Sequence, residues 1–173
     1  MSELSQEEIE DRLWREIDKG RFGMLGLTGV RHPHFHPMTA FTEREEGQIW
    51  FFTYRDTELA RGVAASAQQE LGDGGEAMFV IQAKDQELQA CIGGRLVEDR
   101  DQDRIDKYWG PMVAAWYPDG KEDPRLTLLR FDCREAQVWL TEAGPIKYAW
   151  EVARAHMGGG RPDLGQQATL DLH

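Results

Sequence analysis

Hydrophobic positions change their period several times along this chain, and each change marks an element. Ile9, Leu13 and Ile17 recur at helical spacing behind a Ser5-x-x-Glu8 capping pattern, which predicts an amphipathic helix over 5–19 that stops near Gly20. Three short runs then read as strands: FGMLGLTG (22–29), FHPMTAF (35–41) and QIWFFTY (48–54), separated by turn-rich residues such as Glu46-Gly47. The third run is apolar on both faces, Ile49 and Phe51 against Trp50 and Phe52, so it is expected to be central and covered on both sides.

The period returns to helical over 56–69, through Leu59, Val63, Ala64 and Ala67, with Asp56 as the expected N-cap and the GDGG loop as the stop. AMFVIQA (77–83) and LQACIGGRLVE (88–98) read as a hairpin, and the paired Gly93-Gly94 predicts a bulge or a close backbone approach. Ile105, Tyr108, Trp109, Met112, Val113 and Trp116 form a helical stripe that Gly110-Pro111 should divide, with Pro111 opening the second helix. LTLLRFD and EAQVWLT read as two closing strands. A last helix is expected from Pro145 through Trp150 and Ala153 to the GGG run, followed from about 158 by a polar, loosely held tail. About seven short, mostly sequential strands with helices at the start, middle and end predict a mainly β antiparallel barrel with flanking helices, one domain over 1–173.

Charge and cysteine content narrow the partners. With 31 acidic and 20 basic residues the formal net charge is −11, which repels nucleic acid phosphates and anionic membrane surfaces, and no local basic patch offsets it. No apolar run approaches membrane-spanning length, and the acidic start MSELSQEEIEDR lacks the basic and apolar regions of a signal peptide. Cys91 and Cys133 lie in apolar runs without a Cys-x-x-Cys arrangement and read as reduced, buried thiols, so a cytoplasmic protein is expected.

The stretch RHPHFHPMTAF places His32, His34 and His36 at every second position. In a strand they share one face, but at about 3.3 Å per residue the outer two stand roughly 13 Å apart, too far for three nitrogens to reach one tetrahedral ion. No metal site is expected. The G-x-S-x-G, G-x-x-x-x-G-K-[ST], H-E-x-x-H and G-x-G-x-x-G patterns are missing, and Cys91 has no flanking charge to activate it. What remains is a set of aromatics, glycines and arginines spread over strands, suited to holding a planar cofactor against a barrel.

The run of FGMLGL, HPMTA, IWFFTYRDTELARGV and GGRLVEDRDQDRIDKYWGPMVAAWYPDGKEDPRLTLLRFDCREAQVWL resembles the FMN-binding split-barrel proteins related to pyridoxamine 5′-phosphate oxidase, and most closely their bacterial general-stress-protein group. The most specific parts are the WFFT-x-[RK]-D strand end and the W-x-P-x-x-x-A-W-[YF]-x-x-G-K-x-D-P block. The resemblance implies a split antiparallel β-barrel, a homodimer, and two FMN sites built from both protomers, with FAD the alternative flavin. It implies that His36, Pro37, Met38 and Thr39 run beside the flavin ring and that Phe52 and Thr53 close over ring and phosphate. The partner subunit's Gln89, the partner subunit's Trp116 and the partner subunit's Trp139 would contact the ring.

Two departures stand out. The family usually has arginine where this chain has His36, and a phosphate-binding lysine where it has Leu59, with Glu58 alongside. Arg55 and Arg61 are the nearby substitutes and Lys121 a remoter one; a guanidinium could take the lysine's role. The expected activity is flavin-dependent redox chemistry on an unidentified substrate, against a non-catalytic flavin-binding stress or storage protein and a cofactor-free dimeric module. Pyridoxamine-phosphate oxidation itself is not expected, since few cations stand near the site to hold a second phosphate.

Overall fold

The computed structural model describes residues 3–69, 72–141, 145–158 and 165–172. Its first element, α1 (Gln6–Gly20), starts at the capping box: Ser5 accepts from the Glu8 amide, and the Glu8 side chain accepts from the Ser5 amide. Ile9, Leu13, Trp14 and Ile17 are its buried face, and the helix ends in a left-handed turn at Arg21.

Strands β1 (Phe22–Leu27), β2 (His36–Thr39), β3 (Phe41–Glu43) and β4 (Gln48–Tyr54) follow, so the expected strand over 35–41 is two short strands. Helix α2 (Glu58–Gln69) leads into the hairpin β5 (Gly75–Gln82) and β6 (Leu88–Glu98). Two short helices, α3 (Gln102–Tyr108) and α4 (Pro111–Trp116), divide at Gly110-Pro111 as the sequence predicts. β7 (Leu126–Thr141) is a single strand of 16 residues where two were expected. α5 (Pro145–His156) comes next, and β8 (Gly165–Asp171) corrects the expectation of a loose tail. Within the tail, 159–164 lie outside the described residues.

All pairings are antiparallel, in the order β2-β1-β5-β6-β7-β4-β3, with β8 also on β7. β7 shares one edge between two neighbours: Leu126–Asp132 pairs with β4, and Glu135–Thr141 pairs with β8. Its other edge pairs with β6 along both halves, and the register slips between Gly93 and Gly94. Gly94 is required there, because a Cβ would meet the Asp132 carbonyl oxygen at 2.3 Å. The curled sheet brings β2 back against β4 without a hydrogen-bonded ladder between them, so the barrel is split at that seam. Pro37, with no amide hydrogen to offer, suits such an edge. The fold is a split antiparallel β-barrel with flanking helices.

β4 explains the two cores. Ile49 and Phe51 point into the barrel with Phe79, Leu96 and Phe131, while Trp50 and Phe52 point outward under α3 and α4 with Phe41, Ile105 and Val113. It is covered on both faces as predicted, though it stands next to last in the strand order rather than at its middle. No helix among the described residues is long and apolar enough to cross a membrane.

A polar tie holds α3 to the sheet. Glu43 on β3 accepts hydrogen bonds from Tyr108 and Lys107 and is paired with Arg104, whose guanidinium also lies over the Trp50 ring at 5.4 Å. Partial burial by itself raises the Glu43 pKa, but the hydrogen bonds from Lys107, Tyr108 and Arg104 hold it down from 4.5 to about 2. A depressed carboxylate contributes stability that is complete above its ordinary range and is lost as pH falls through its folded value. Glu43→Gln should therefore destabilise the protein by about 1–3 kcal/mol at pH 6–8. In urea unfolding, the gap to the native protein should close as pH falls from 4.5 toward 2.

Candidate functional site

Strand period decides which predicted residues can meet. On β2, His36 and Met38 are half-buried, with Met38 against the barrel core, while Pro37 and Thr39 are exposed on the outer face. β4 ends where α2 begins, and there Thr53, on the barrel side of the strand, places its hydroxyl 3.1 Å from that of Thr57. Thr57, not Asp56, caps α2: its hydroxyl accepts from the Ala60 amide at 3.3 Å and donates to the Tyr54 carbonyl at 2.9 Å. Across the ladder from Thr53 stands Thr127, fully buried, whose hydroxyl has no hydrogen-bond partner. Three hydroxyls and the first turn of a 12-residue helix thus meet at one end of the barrel, a composition that suits an anionic oxygen group.

The charges around this end are unusual. His32, His34 and His36 line one cavity of about 170 Å³ with Glu58, Leu59 and Leu27. His34 Nδ1 sits 2.8 Å from Glu58 Oε1, and that hydrogen bond, aided by the charges of His34, His36 and Arg61, keeps the exposed Glu58 carboxyl below its ordinary range. Among the described residues no group of three or more histidine, cysteine or carboxylate side chains is placed to hold a metal ion. Leu59 is buried, with its side chain at the boundary of barrel core and cavity.

The candidate cations differ in their commitments. Arg55 is engaged by Glu98 at 2.7 Å and Lys121 by Asp106 at 2.6 Å. Arg61, exposed one turn into α2, makes no side-chain hydrogen bond or ion pair to the described residues and is the cation left to serve a ligand.

Phe52 lies on the other face of β4. Its neighbour Thr53 faces the barrel end, so Phe52 necessarily faces the other way, and it is enclosed by Phe41, Trp109 and Tyr117 at ring distances of 5.7–6.0 Å. Its carbonyl accepts from the Tyr117 hydroxyl at 2.8 Å, a phenol whose burial, with the nearby Tyr54, pushes its pKa up to about 12. Its ring therefore packs in the outer cluster, on the opposite face of β4 from Thr53.

The remaining predicted residues lie elsewhere. Gln89 and Trp139 are directly opposed on β6 and β7, half-buried on the outer face of the sheet. Between them and β2 run β1 and β5, whose outward Phe22 and Met24 are 60 % and 37 % exposed. Trp116, at the end of α4, is 77 % exposed. The β2 residues and the Gln89–Trp139 pair are thus separated by a strip that carries the exposed Phe22 and Met24. A cavity of about 720 Å³ lies on the same face beside Met78, Gly93 and Glu135, and contains none of the predicted site residues. Sequence reading missed it because it is formed by the register of β5, β6, β7 and β8.

The family described as pyridoxamine 5′-phosphate oxidase like matches residues 8–163. The chain belongs to this family. Among solved structures it is similar to a protein of Xanthomonas citri named as a general stress FMN/FAD binding protein, at 41% identity over 80% of this chain and 92% of that one, with a TM-score of 0.69. A general stress family protein of Xanthomonas campestris pv. campestris is 40% identical over 82% and 92%, TM-score 0.70. A protein of Jannaschia sp. CCS1 assigned to general stress protein 26 is 33% identical over 95% and 99%, TM-score 0.74. No curated protein matches the chain significantly. Family membership agrees with the split barrel, and β8 lies beyond the matched residues.

Since Thr57 links β4 to α2 through its hydroxyl, Thr57→Ala should lower the unfolding free energy by about 1 kcal/mol. It should also speed hydrogen exchange at the Ala60 amide, measurable by denaturant titration and by NMR.

Proposed function

We propose that this protein binds FMN between two copies of itself and serves as a flavin-dependent oxidoreductase. The observation that carries the reading is the cluster of Thr53, Thr57 and the unpartnered Thr127 hydroxyl at the start of α2, next to the half-buried His36 strand. A relative of 41% identity that bears an FMN/FAD-binding name supports it. FAD contains the same flavin and could share the ring contacts. Bound flavin supplies reversible electron transfer that side chains cannot.

In this reading each residue has a limited task. Thr53 and the first α2 amides would hold the phosphate, Thr57 would join them only by giving up its bond to the Tyr54 carbonyl, Arg61 would supply the positive charge that Leu59 does not, and His36 would add charge only when protonated. Arg55, held by Glu98, would contribute by exchange of partners. Pro37 and Thr39, on the outer face of β2, would flank the ring, with Gln89, Trp139 and Trp116 of the second protomer completing the enclosure, while Met38 packs on the barrel core beneath them. Glu58, kept ionised and exposed beside His34, is not poised as a proton donor near neutrality, so the redox chemistry rests on the cofactor. The two unpaired cysteines, Cys91 and Cys133, fit a reducing cytoplasm.

The test is spectroscopic. Purified protein should show the absorption of oxidised flavin, which NADH or NADPH should bleach without oxygen; a colourless protein that takes up neither FMN nor FAD would refute flavin binding. Bleaching by neither donor would leave a flavin-binding stress or storage role in place of catalysis. Leu59→Lys, whose longer side chain would emerge in the cavity beside His36 and Glu58, should tighten FMN about tenfold and leave riboflavin unchanged, as titration by fluorescence quenching would show.

The homodimer is tested at the apolar strip. Met24→Glu places a charge at its middle, opposite Pro37 and Val80. Sedimentation should report a dimer for the native chain and a monomer with weakened flavin binding for the variant; a native monomer at micromolar concentration would overturn the shared site.

A further inference from the structure

β8 falls outside residues 8–163, which match the family, yet it is firmly placed. Leu170 and Leu172 are buried in the barrel core. Gln166 exchanges two hydrogen bonds of 2.9 Å with the backbone of Leu4. The register then sets Gln167 directly opposite Trp139, whose other neighbour is Gln89. Directly opposed residues share a face, so Trp139 lies between two glutamines on the outer sheet surface. Their α-carbons stand about 10 Å apart, close enough for two such side chains to converge over the indole.

The two amides are in different states. The Gln89 amide nitrogen donates to the Gln86 carbonyl at 2.7 Å, which fixes the side chain and leaves its oxygen as an acceptor. Gln167 is exposed and makes no side-chain hydrogen bond among the described residues, so both its donor and its acceptor remain open. A flat aromatic surface with an acceptor on one side and a free amide on the other matches the imide edge of a flavin ring, which alternates carbonyl, N–H and carbonyl.

We propose that Gln167 is a specificity-determining residue of this chain, hydrogen-bonding the imide edge of the flavin whose ring Trp139 and Gln89 contact. The inference rests on the flavin-binding reading above and adds to it a contact from a strand that the family match does not include. It predicts a ring contact rather than a phosphate contact, so FMN and riboflavin should respond alike.

The experiment compares the native dimer with Gln167→Leu and Thr169→Ala, the latter an exposed β8 residue two positions along that faces Gln137. Affinity for FMN and for riboflavin, the absorption bands of the bound flavin and the pH at which its imide ionises are measured for each. Gln167→Leu should weaken both ligands by about three- to tenfold, the loss of one neutral hydrogen bond. It should also shift the bands and the imide ionisation, which a merely structural change in β8 would not do. Thr169→Ala should alter none of these. If Gln167→Leu binds both flavins as the native protein does, with unchanged spectra, the inference fails while the flavin reading stands. It fails in the same way if Thr169→Ala produces equal losses. If the native protein binds no flavin, both fail together.

Discussion

The alternation of side chains along β4 is the constraint on which most of this structure depends. Because successive residues face opposite ways, a strand that is apolar throughout must be covered twice, and here the barrel covers Ile49 and Phe51 while α3 and α4 cover Trp50 and Phe52. The same alternation carries one residue further to Thr53, which emerges on the barrel side where β4 hands over to α2. The helical layer and the hydroxyl cluster are therefore two consequences of one period. Phe52 cannot change sides without moving Thr53 as well, which is why its ring belongs to the outer cluster.

Charge sets the character of the cluster. A phosphate at a helix start gains from the helix dipole and from backbone donors, but full neutralisation needs cations. This chain has Glu58 and Leu59 at the start of α2, and it lines the cavity beside them with imidazoles. Arg55 is already paired, and the Glu58 carboxylate is matched by His34 rather than by a permanent cation. In the proposed flavin site, phosphate recognition would lean on neutral donors and on Arg61.

Much of this was legible in the sequence where local chemistry speaks alone. The Ser5–Glu8 capping box, the break at Gly110-Pro111 and the Gly93-Gly94 bulge each express a local rule and reappear where the pattern placed them. Other features depend on partners distant in sequence. β8 reads as a polar tail because Gln166, Gln167 and Thr169 show no apolar run; only the free edge of β7 and the burial of Leu170 and Leu172 make it a strand. β7 reads as two strands because Cys133 and Arg134 fall between the runs LTLLRFD and EAQVWLT, whereas β6 continues alongside and keeps the strand unbroken. Asp56 and Thr57 are both good caps, and one residue of helix phase decides between them. At the site, His36, Thr53 and Leu59 could be singled out from the sequence, but the commitment of Arg55 to Glu98 could not, since 43 residues separate them.

The outer face of the sheet is where these constraints meet. β2 carries one group of the candidate residues and β6 with β7 carries the other, and β1 and β5 hold them apart within the chain. At about 4.8 Å per strand the separation from β2 to β6 is near 14 Å, too wide for one ring to touch both sides at once. In the proposed dimer a two-fold axis through the intervening strip would resolve this, laying each group against its counterpart while burying Phe22 and Met24, which are 60 % and 37 % exposed in the single chain. On that reading the exposure of those two residues and the separation of the two groups would have one physical cause: a surface that is completed by meeting its own copy.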